Sequence, residues 1–351
     1  MEYGLELHTR RVMRAMLEGR VVPLLGAGAN LADRPPGAAW ERGRYLPSSA
    51  ELADHLATRF DYPDDGGGAD LVRISEYASV MTGSGPLYEQ LHEVFDADYA
   101  IGPLHRFLAA LPGRIEEAGR PRACPLVVTT NYDDALERAF REAGEPVDVV
   151  SYLADGEHRG KFVHWAPDAD AVVVERPNEY RSVRPDERTV VLKMHGAVDR
   201  TSSDAPWDSY VITEDHYIEY LARTDIANLV PVALAAKLRR SHFLFLGYGM
   251  RDWNLRVILY RIWGEQRLKY KSWAVQLAPS ELDREFWELR GVDVLDLPLD
   301  EYVAGLPGQE PARCPDRGRE RFRGVAAPVG EKYGDDVTEG AEPRHDARVE
   351  E

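Results

Sequence analysis

Apolar residues recur along the chain with two different periods, and the alternation between those periods predicts the fold. Leu5, Leu7, Val12, Met13, Met16 and Leu17 fall at helical spacing and stop before Gly19, the pattern of a helix with one buried stripe. Val21-Val22-Pro23-Leu24-Leu25 follows as an unbroken apolar run that leads into Gly26-Ala27-Gly28, as a strand buried on both faces does. From about Ser48 to Leu111 the period is helical and broken by turns. Ser48 or Ser49 is placed to cap a helix over 51–60, and Gly66-Gly67-Gly68 interrupts before a second over 71–80.

Strand and helix then alternate. Strands are predicted over 126–130, 147–152, 171–174, 189–194, 242–246, 272–277 and 292–297. Helices are predicted at about 133–143, 214–223, 232–240, 252–263 and 281–290, with Asp252 and Ser280 opening the last two. This rhythm specifies an α/β fold: a doubly wound, mostly parallel sheet, Rossmann-like, with helices on both faces and ligands at the carboxyl ends of its strands. A small helical subdomain over 32–111 is inserted after the first strand, within a main domain over 1–305. Beyond about Pro307 the pattern fades into Gly, Pro, Arg and Glu, with Arg313, Arg317, Arg319, Arg321 and Arg323 close together. Such a segment buries too little apolar area to offset its ordering entropy, so 306–351 reads as a disordered charged tail.

Composition narrows the function classes. At 351 residues and 44% hydrophobic, the chain can bury a large core, which excludes collagen, coiled coil and wholesale disorder. Sixty acidic against 43 basic side chains give a formal net charge of -17, which repels a phosphate backbone and argues against direct nucleic-acid binding. The two cysteines, Cys124 and Cys314, make neither a disulfide framework nor a four-cysteine zinc site. The first twenty residues lack the apolar core of a signal peptide, and no apolar run approaches the roughly 20 residues of a membrane span. A soluble, cytoplasmic protein is expected.

Candidate chemistry sits in four short motifs, each at the end of a predicted strand. Gly26-Ala27-Gly28-Ala29-Asn30 is either a tight turn or a loop whose glycines let backbone N–H groups approach a pyrophosphate; Leu31 stands where a dinucleotide fingerprint has its third glycine. Thr129-Thr130-Asn131-Tyr132-Asp133-Asp134 places an amide and a carboxylate two residues apart, and Asp133 is equally suited to cap the helix that follows. Lys193-Met194-His195-Gly196 closes an apolar strand with an imidazole able to exchange a proton near neutral pH, followed by a glycine that leaves room for a ligand. Gly247-Tyr248-Gly249-Met250-Arg251-Asp252 is a Gly-x-Gly turn into a helix. No Walker A motif and no His-Glu-x-x-His is present, which disfavours a P-loop NTPase and a metal hydrolase.

In order and context these four motifs resemble the sirtuin-like superfamily, and its bacterial NAD-hydrolase branch of antiphage effectors more closely than the protein deacylases. The resemblance covers about residues 15–300. Gly26-Ala27-Gly28 matches the phosphate loop, Thr129 to Asp133 the Thr-Gln-Asn-Ile-Asp stretch, His195-Gly196 the catalytic His-Gly, and Gly247 to Asp252 the late glycine-rich loop. Thr130 and Tyr132 replace the Gln and Ile of the deacylases, and Asn30 the usual Ser. The cysteine-ligated zinc module and the Phe-Gly-Glu loop of the deacylases have no counterpart, which leaves water as the acceptor.

The resemblance implies a NAD hydrolase that uses NAD as substrate and no metal. Asn131 would hold a ribose hydroxyl or the attacking water, His195 would be the general base, and Asp133 would bind the carboxamide or favour the developing cation. Gly26, Ala27, Gly28, Asn30 and Thr130 would contact the dinucleotide, with Gly247, Tyr248 and Asp252 toward its adenosine half. It also implies restraint before infection through homo-oligomerisation or a regulatory partner such as a DNA-translocating ATPase. A NAD-dependent deacylase and a catalytically silent sensor of NAD or ADP-ribose are the alternatives.

Overall fold

The computed structural model describes residues 2–32, 34–35, 37–63, 70–121, 123–222, 230–249 and 270–306. The glycine triplet at 66–68, the helix expected over 252–263, Asp252, Cys314 and the tail lie outside the described residues.

A nine-stranded sheet forms the centre. In chain order its strands are β1 (Val21–Leu25), β2 (Leu126–Thr129), β3 (Val147–Tyr152), β4 (Phe162–Trp165), β5 (Val172–Val174), β6 (Thr189–Lys193), β9 (His242–Leu246), β10 (Ser272–Gln276) and β11 (Val292–Asp296), while β7 (Gly196–Ala197) and β8 (Ser209–Tyr210) make a separate pair. The spatial order is β11-β10-β9-β1-β2-β6-β3-β4-β5. From β11 to β3 all neighbours run parallel, and the central β1, β2, β6 and β9 carry the near-continuous apolar runs of strands buried on both faces.

At the other edge β4 and β5 run antiparallel, and β4 was not expected. Its four residues include His164 and Trp165, so no apolar run announces it. It is held by pairing to β3 and by buried His164, which sits 3.2 Å from Asp148 and 2.8 Å from the Tyr180 hydroxyl.

The chain leaves β1 toward β2 and returns on the opposite side at β9, so the topology switches direction at β1/β9, where doubly wound sheets hold their ligands. Pro23 sits within β1, paired with Leu244 of β9; registered pairing with β2 begins only at Leu24. The missing amide therefore falls where the strand has not yet met its second neighbour.

Side chains alternate between two cores. Val22, Leu24, Val128, Leu192, Phe243 and Phe245 face one, with Leu234 and Leu238 of α9 (Val232–Arg239) and Trp287 of α10 (Glu281–Glu288). Val21, Leu25, Val127, Val191, Leu244 and Leu246 face the other, under α1 (Glu2–Leu17), α5 (Pro103–Ala109), α6 (Leu111–Glu117), α7 (Ala135–Glu142) and α11 (Leu299–Gly305). A third cluster joins α2 (Ser49–Arg59), α3 (Leu71–Thr82) and α4 (Ser84–Phe95), reached from the main body by Tyr210 and Ile212. Thus α5 and α6 pack on the sheet rather than with the inserted helices that precede them.

Helix starts follow local chemistry. Ser48 and Glu51 form a reciprocal capping box on α2, Asp70 caps α3, and Ser280 caps α10. Between β8 and β9 lie α8 (Glu214–Ala222) and α9. Among the described residues no helix is long and apolar enough to cross a membrane, and no three His, Cys, Asp or Glu are grouped to hold a metal ion.

Candidate active site

The carboxyl ends of β1, β2, β6 and β9 open onto one cavity of about 640 Å³. Gly26, Ala27, Gly28, Asn30, Thr130, Asn131, Asp133, His195, Gly247 and Tyr248 all line it, and Asp252 lies outside the described residues. The inserted helices supply the facing wall through Pro47, Ser48, Ser49, Leu52, Leu71 and Phe95.

After β1 the chain winds into a short 3-10 turn, Ala27–Leu31, that locks against the loop after β9. The Gly26 amide donates to Leu246 O at 3.0 Å and the Gly28 amide to Gly247 O at 2.9 Å, while the Ala29 amide turns back to Gly26 O at 2.9 Å. Gly247 has φ +71°, and a Cβ there would stand 2.0 Å from Ala29 N and 2.5 Å from Gly28 C; a Cβ on Gly26 or Gly28 would stand 2.7 or 2.8 Å from Gly247 O. These glycines let two backbones interlock. The amides expected to face a pyrophosphate are, at Gly26, Gly28 and Ala29, engaged inside the protein, and the turn shapes the cavity more than it offers donors.

The segment after β2 is a turn tied down on several sides. Asn131 receives no help from a regular element; its amide donates to Thr129 Oγ1 at 3.0 Å, and its side-chain Nδ2 donates to Gly26 O at 3.1 Å. Asn131 lines the cavity, and no hydrogen bond to its Oδ1 is made among the described residues. The Thr130 hydroxyl accepts from Tyr248 at 3.0 Å, which joins this turn to the late loop. Tyr132 donates to Val211 O at 2.8 Å.

Buried Asp133 is occupied at both oxygens: Oδ1 accepts the Ala135 amide at 3.1 Å and Oδ2 accepts Asn30 Nδ2 at 2.7 Å. Its carboxylate thus holds both the first amide of α7 and the glycine turn after β1, while the N-cap position is Asp134, whose side chain makes no capping bond. Asp134 beside it takes Arg138 at 3.0 Å and Arg200 at 3.0 Å. Arg200 also binds Asp96 at 2.9 Å and Asp98 at 2.8 Å, just past α4. The turn is therefore fastened to the glycine loop by one aspartate and to the helical insert by the next, links that no local sequence signal reveals.

His195 follows β6 and is only 6% exposed. Its ring lies edge-on to Tyr217 at 5.6 Å, its backbone carbonyl accepts the Val211 amide at 2.8 Å, and its Nε2 has no hydrogen-bond partner among the described residues. Burial pushes its pKa down to about 3, because the cation would lose its hydration inside the protein. At neutral pH the ring is an uncharged acceptor. Gly196 has φ +92°, and a Cβ there would lie 2.0 Å from Ser209 O; the glycine is needed for the β7–β8 crossing rather than to leave room for a ligand.

A parallel sheet with its ligand crevice at the direction switch, an Asn on the turn after β2 and a His after β6 define a SIR2-like architecture, and residues 125–295 match the SIR2-like domain family. That match covers just under half of the chain, and the relatives similar to it carry the names NAD(+) hydrolase ThsA and defense-associated sirtuin. Among its relatives, NAD(+) hydrolase ThsA of Enterococcus faecium is 28% identical over 252 residues, which is 71% of this chain and 41% of that protein. ThsA of Cytobacillus dafuensis is 25% identical over 193 residues, 55% of this chain and 30% of that protein. Defense-associated sirtuin 2 of Bacillus subtilis is 22% identical over 294 residues, 82% of this chain and 24% of that protein. The chain thus spans between a quarter and two-fifths of the length of these relatives.

Proposed function

We propose that this protein hydrolyses NAD, breaking the bond between the nicotinamide nitrogen and the ribose C1′ and transferring the ADP-ribosyl group to water, as an effector of bacterial antiphage defence. The observation that carries the reading is the meeting of Asn131 and His195 with both glycine turns around one cavity at the sheet's direction switch. The two ThsA relatives, which are NAD(+) hydrolases by name, and the defense-associated sirtuin of Bacillus subtilis support it.

The chemistry asks little of a nucleophile. As nicotinamide departs with the bonding pair, positive charge builds on the ribose, and the site must orient the dinucleotide, hold a water and relieve that charge. Asn131 is suited to this: its Nδ2 is fixed on Gly26 O, which aims its carbonyl oxygen at a ribose hydroxyl or the incoming water. His195, with its Nε2 unpartnered among the described residues, is the acceptor for the proton released as water adds to C1′. That role requires the anionic dinucleotide in the cavity to raise its basicity above that of the empty site. Asp133, engaged at both oxygens, holds the Asn131 turn against the glycine loop, and its negative charge lies near the developing cation. Gly247 and Tyr248 serve the adenosine half.

Incubating the protein with NAD alone and resolving the products by chromatography tests this. Nicotinamide and ADP-ribose should appear without any peptide. Asn131→Ala and His195→Ala should fold and lose about 10²-fold or more in turnover. A folded Asn131→Ala variant with full cleavage refutes the assignment of Asn131. Product formed only with an acylated peptide, as O-acyl-ADP-ribose, identifies a deacylase, and calorimetric NAD binding without product identifies a sensor.

A further inference from the structure

Lys193 is the last residue of β6, two positions before His195, and is 1% exposed. A lysine is almost never this deeply buried without a partner. Its ammonium donates to the backbone carbonyl of Asp133 and, at 2.8 Å, to Oε1 of Glu137 in the first turn of α7. Glu137 is itself buried, and its Oε2 has no partner among the described residues.

The connections straddle Asn131. Thr129 is in register with Lys193 across the β2–β6 pairing, and the Met194 amide donates to Thr129 O at 2.9 Å. The chain then rises through Thr130, Asn131 and Tyr132 and is caught again at Asp133 by the Lys193 ammonium. The histidine-bearing strand thus grips the asparagine-bearing turn at its entry through the Met194 amide of the strand ladder and at its exit through the Lys193 side chain. A buried pair with an open acceptor contributes little net stability, because desolvation offsets the attraction. What such a pair supplies is a fixed register between the segments that it joins.

We infer that Lys193 is a positioning residue that sets Asn131 relative to His195, with Glu137 holding its ammonium in place. For catalysis the inference rests on the NAD-hydrolase reading above; for the geometry of the turn it stands alone.

The test replaces both charges at once, Lys193→Met with Glu137→Met, so that no orphan charge is left inside. The expected variant keeps its urea unfolding midpoint and binds NAD within about 3-fold of the parent, yet loses about 10- to 100-fold in kcat with KM little changed, the scale of a small misplacement of reacting groups. Hydrogen exchange at the Asn131 and Ala135 amides should quicken by about 10-fold or more, since both amides are bonded within the turn that the ammonium closes. A double variant with the parent's kcat, or with the parent's exchange across 131–135, overturns the inference. Should it not fold, Lys193→Arg keeps the charge but alters the donor geometry and carries the same expectations at smaller amplitude. If the parent releases no nicotinamide, the hydrolase reading fails, while the exchange comparison still decides the role of Lys193.

Discussion

The contact between the loops after β1 and β9 can be broken by one methyl group. Gly247→Ala meets two separate penalties. The first is conformational: at φ +71° an L-residue pays about 1–2 kcal/mol. The second is steric, since the added carbon would lie 2.0 Å from Ala29 N and 2.5 Å from Gly28 C, and backbone on both sides cannot rotate away. Separating the loops forfeits the Gly28 to Gly247 hydrogen bond of 2.9 Å, about 0.5–1.5 kcal/mol, and the displaced packing adds about 1–3 kcal/mol. Together the loss is about 3–6 kcal/mol, a large part of the roughly 5–15 kcal/mol that holds a typical protein folded.

Gly144→Ala isolates the first penalty, because Gly144 has φ +70° and nothing within 4 Å of its would-be Cβ; it should cost only about 1–2 kcal/mol. Gly249→Ala, also open and without a positive φ, should cost about 1 kcal/mol or less. Urea titrations of the three variants read the stabilities, and NAD calorimetry reads the cavity, which Gly247→Ala should disable and Gly144→Ala, outside its lining, should leave intact. A Gly247→Ala protein no less stable than Gly144→Ala would show that the loops do not interlock as described.

Other perturbations probe neighbouring parts of the same arrangement. His195 has a folded-state pKa of about 3 against about 6.5 unfolded, so the unfolded chain binds the extra proton between those values; the stability its neutral form preserves is intact above pH 6.5 and is lost as pH falls toward 3. The stability gap between the parent and His195→Gln should therefore shift against the parent by about 2 kcal/mol from pH 7.5 to pH 5, and a gap that does not change with pH would contradict the burial argument. Arg200→Met removes contacts to Asp96, Asp98 and Asp134 at once; it should destabilise by about 2–3 kcal/mol and raise protease sensitivity of the inserted helices first, whereas uniform cleavage along the chain would argue against a link specific to the insert.

How far the sequence leads differs between elements. The strands at 21–25 and 242–246 are legible to the residue, because a strand buried on both faces is a near-continuous apolar run ended by turn residues. The strand at 147–152 is legible from Val147, Val149, Val150 and Tyr152, although Asp148 and Ser151 interrupt its run. The edge strand Phe162–Trp165 is not, since its His164 is made compatible with burial only by Asp148 and Tyr180, residues remote in sequence. The helix expected from Asp133 begins at Ala135 because the preceding residues are spent on the turn. The ends of strands can be read as places where a ligand would sit, and the residues named there line one cavity, apart from Asp252, which lies outside the described residues. What each glycine, aspartate and lysine contacts depends on long-range partners, so the interlocked loops, the two-sided engagement of Asp133 and the buried Lys193 became visible only in three dimensions.

The position of β1 between β2 and β9 has a consequence for biosynthesis. Three walls of the crevice leave the ribosome early, but the fourth arrives only when the segment through Gly247 has emerged and slotted in beside Val21–Leu25. A nascent or truncated polypeptide ending before that point has no finished pocket, so competence to engage a dinucleotide is delayed until most of the fold has been translated.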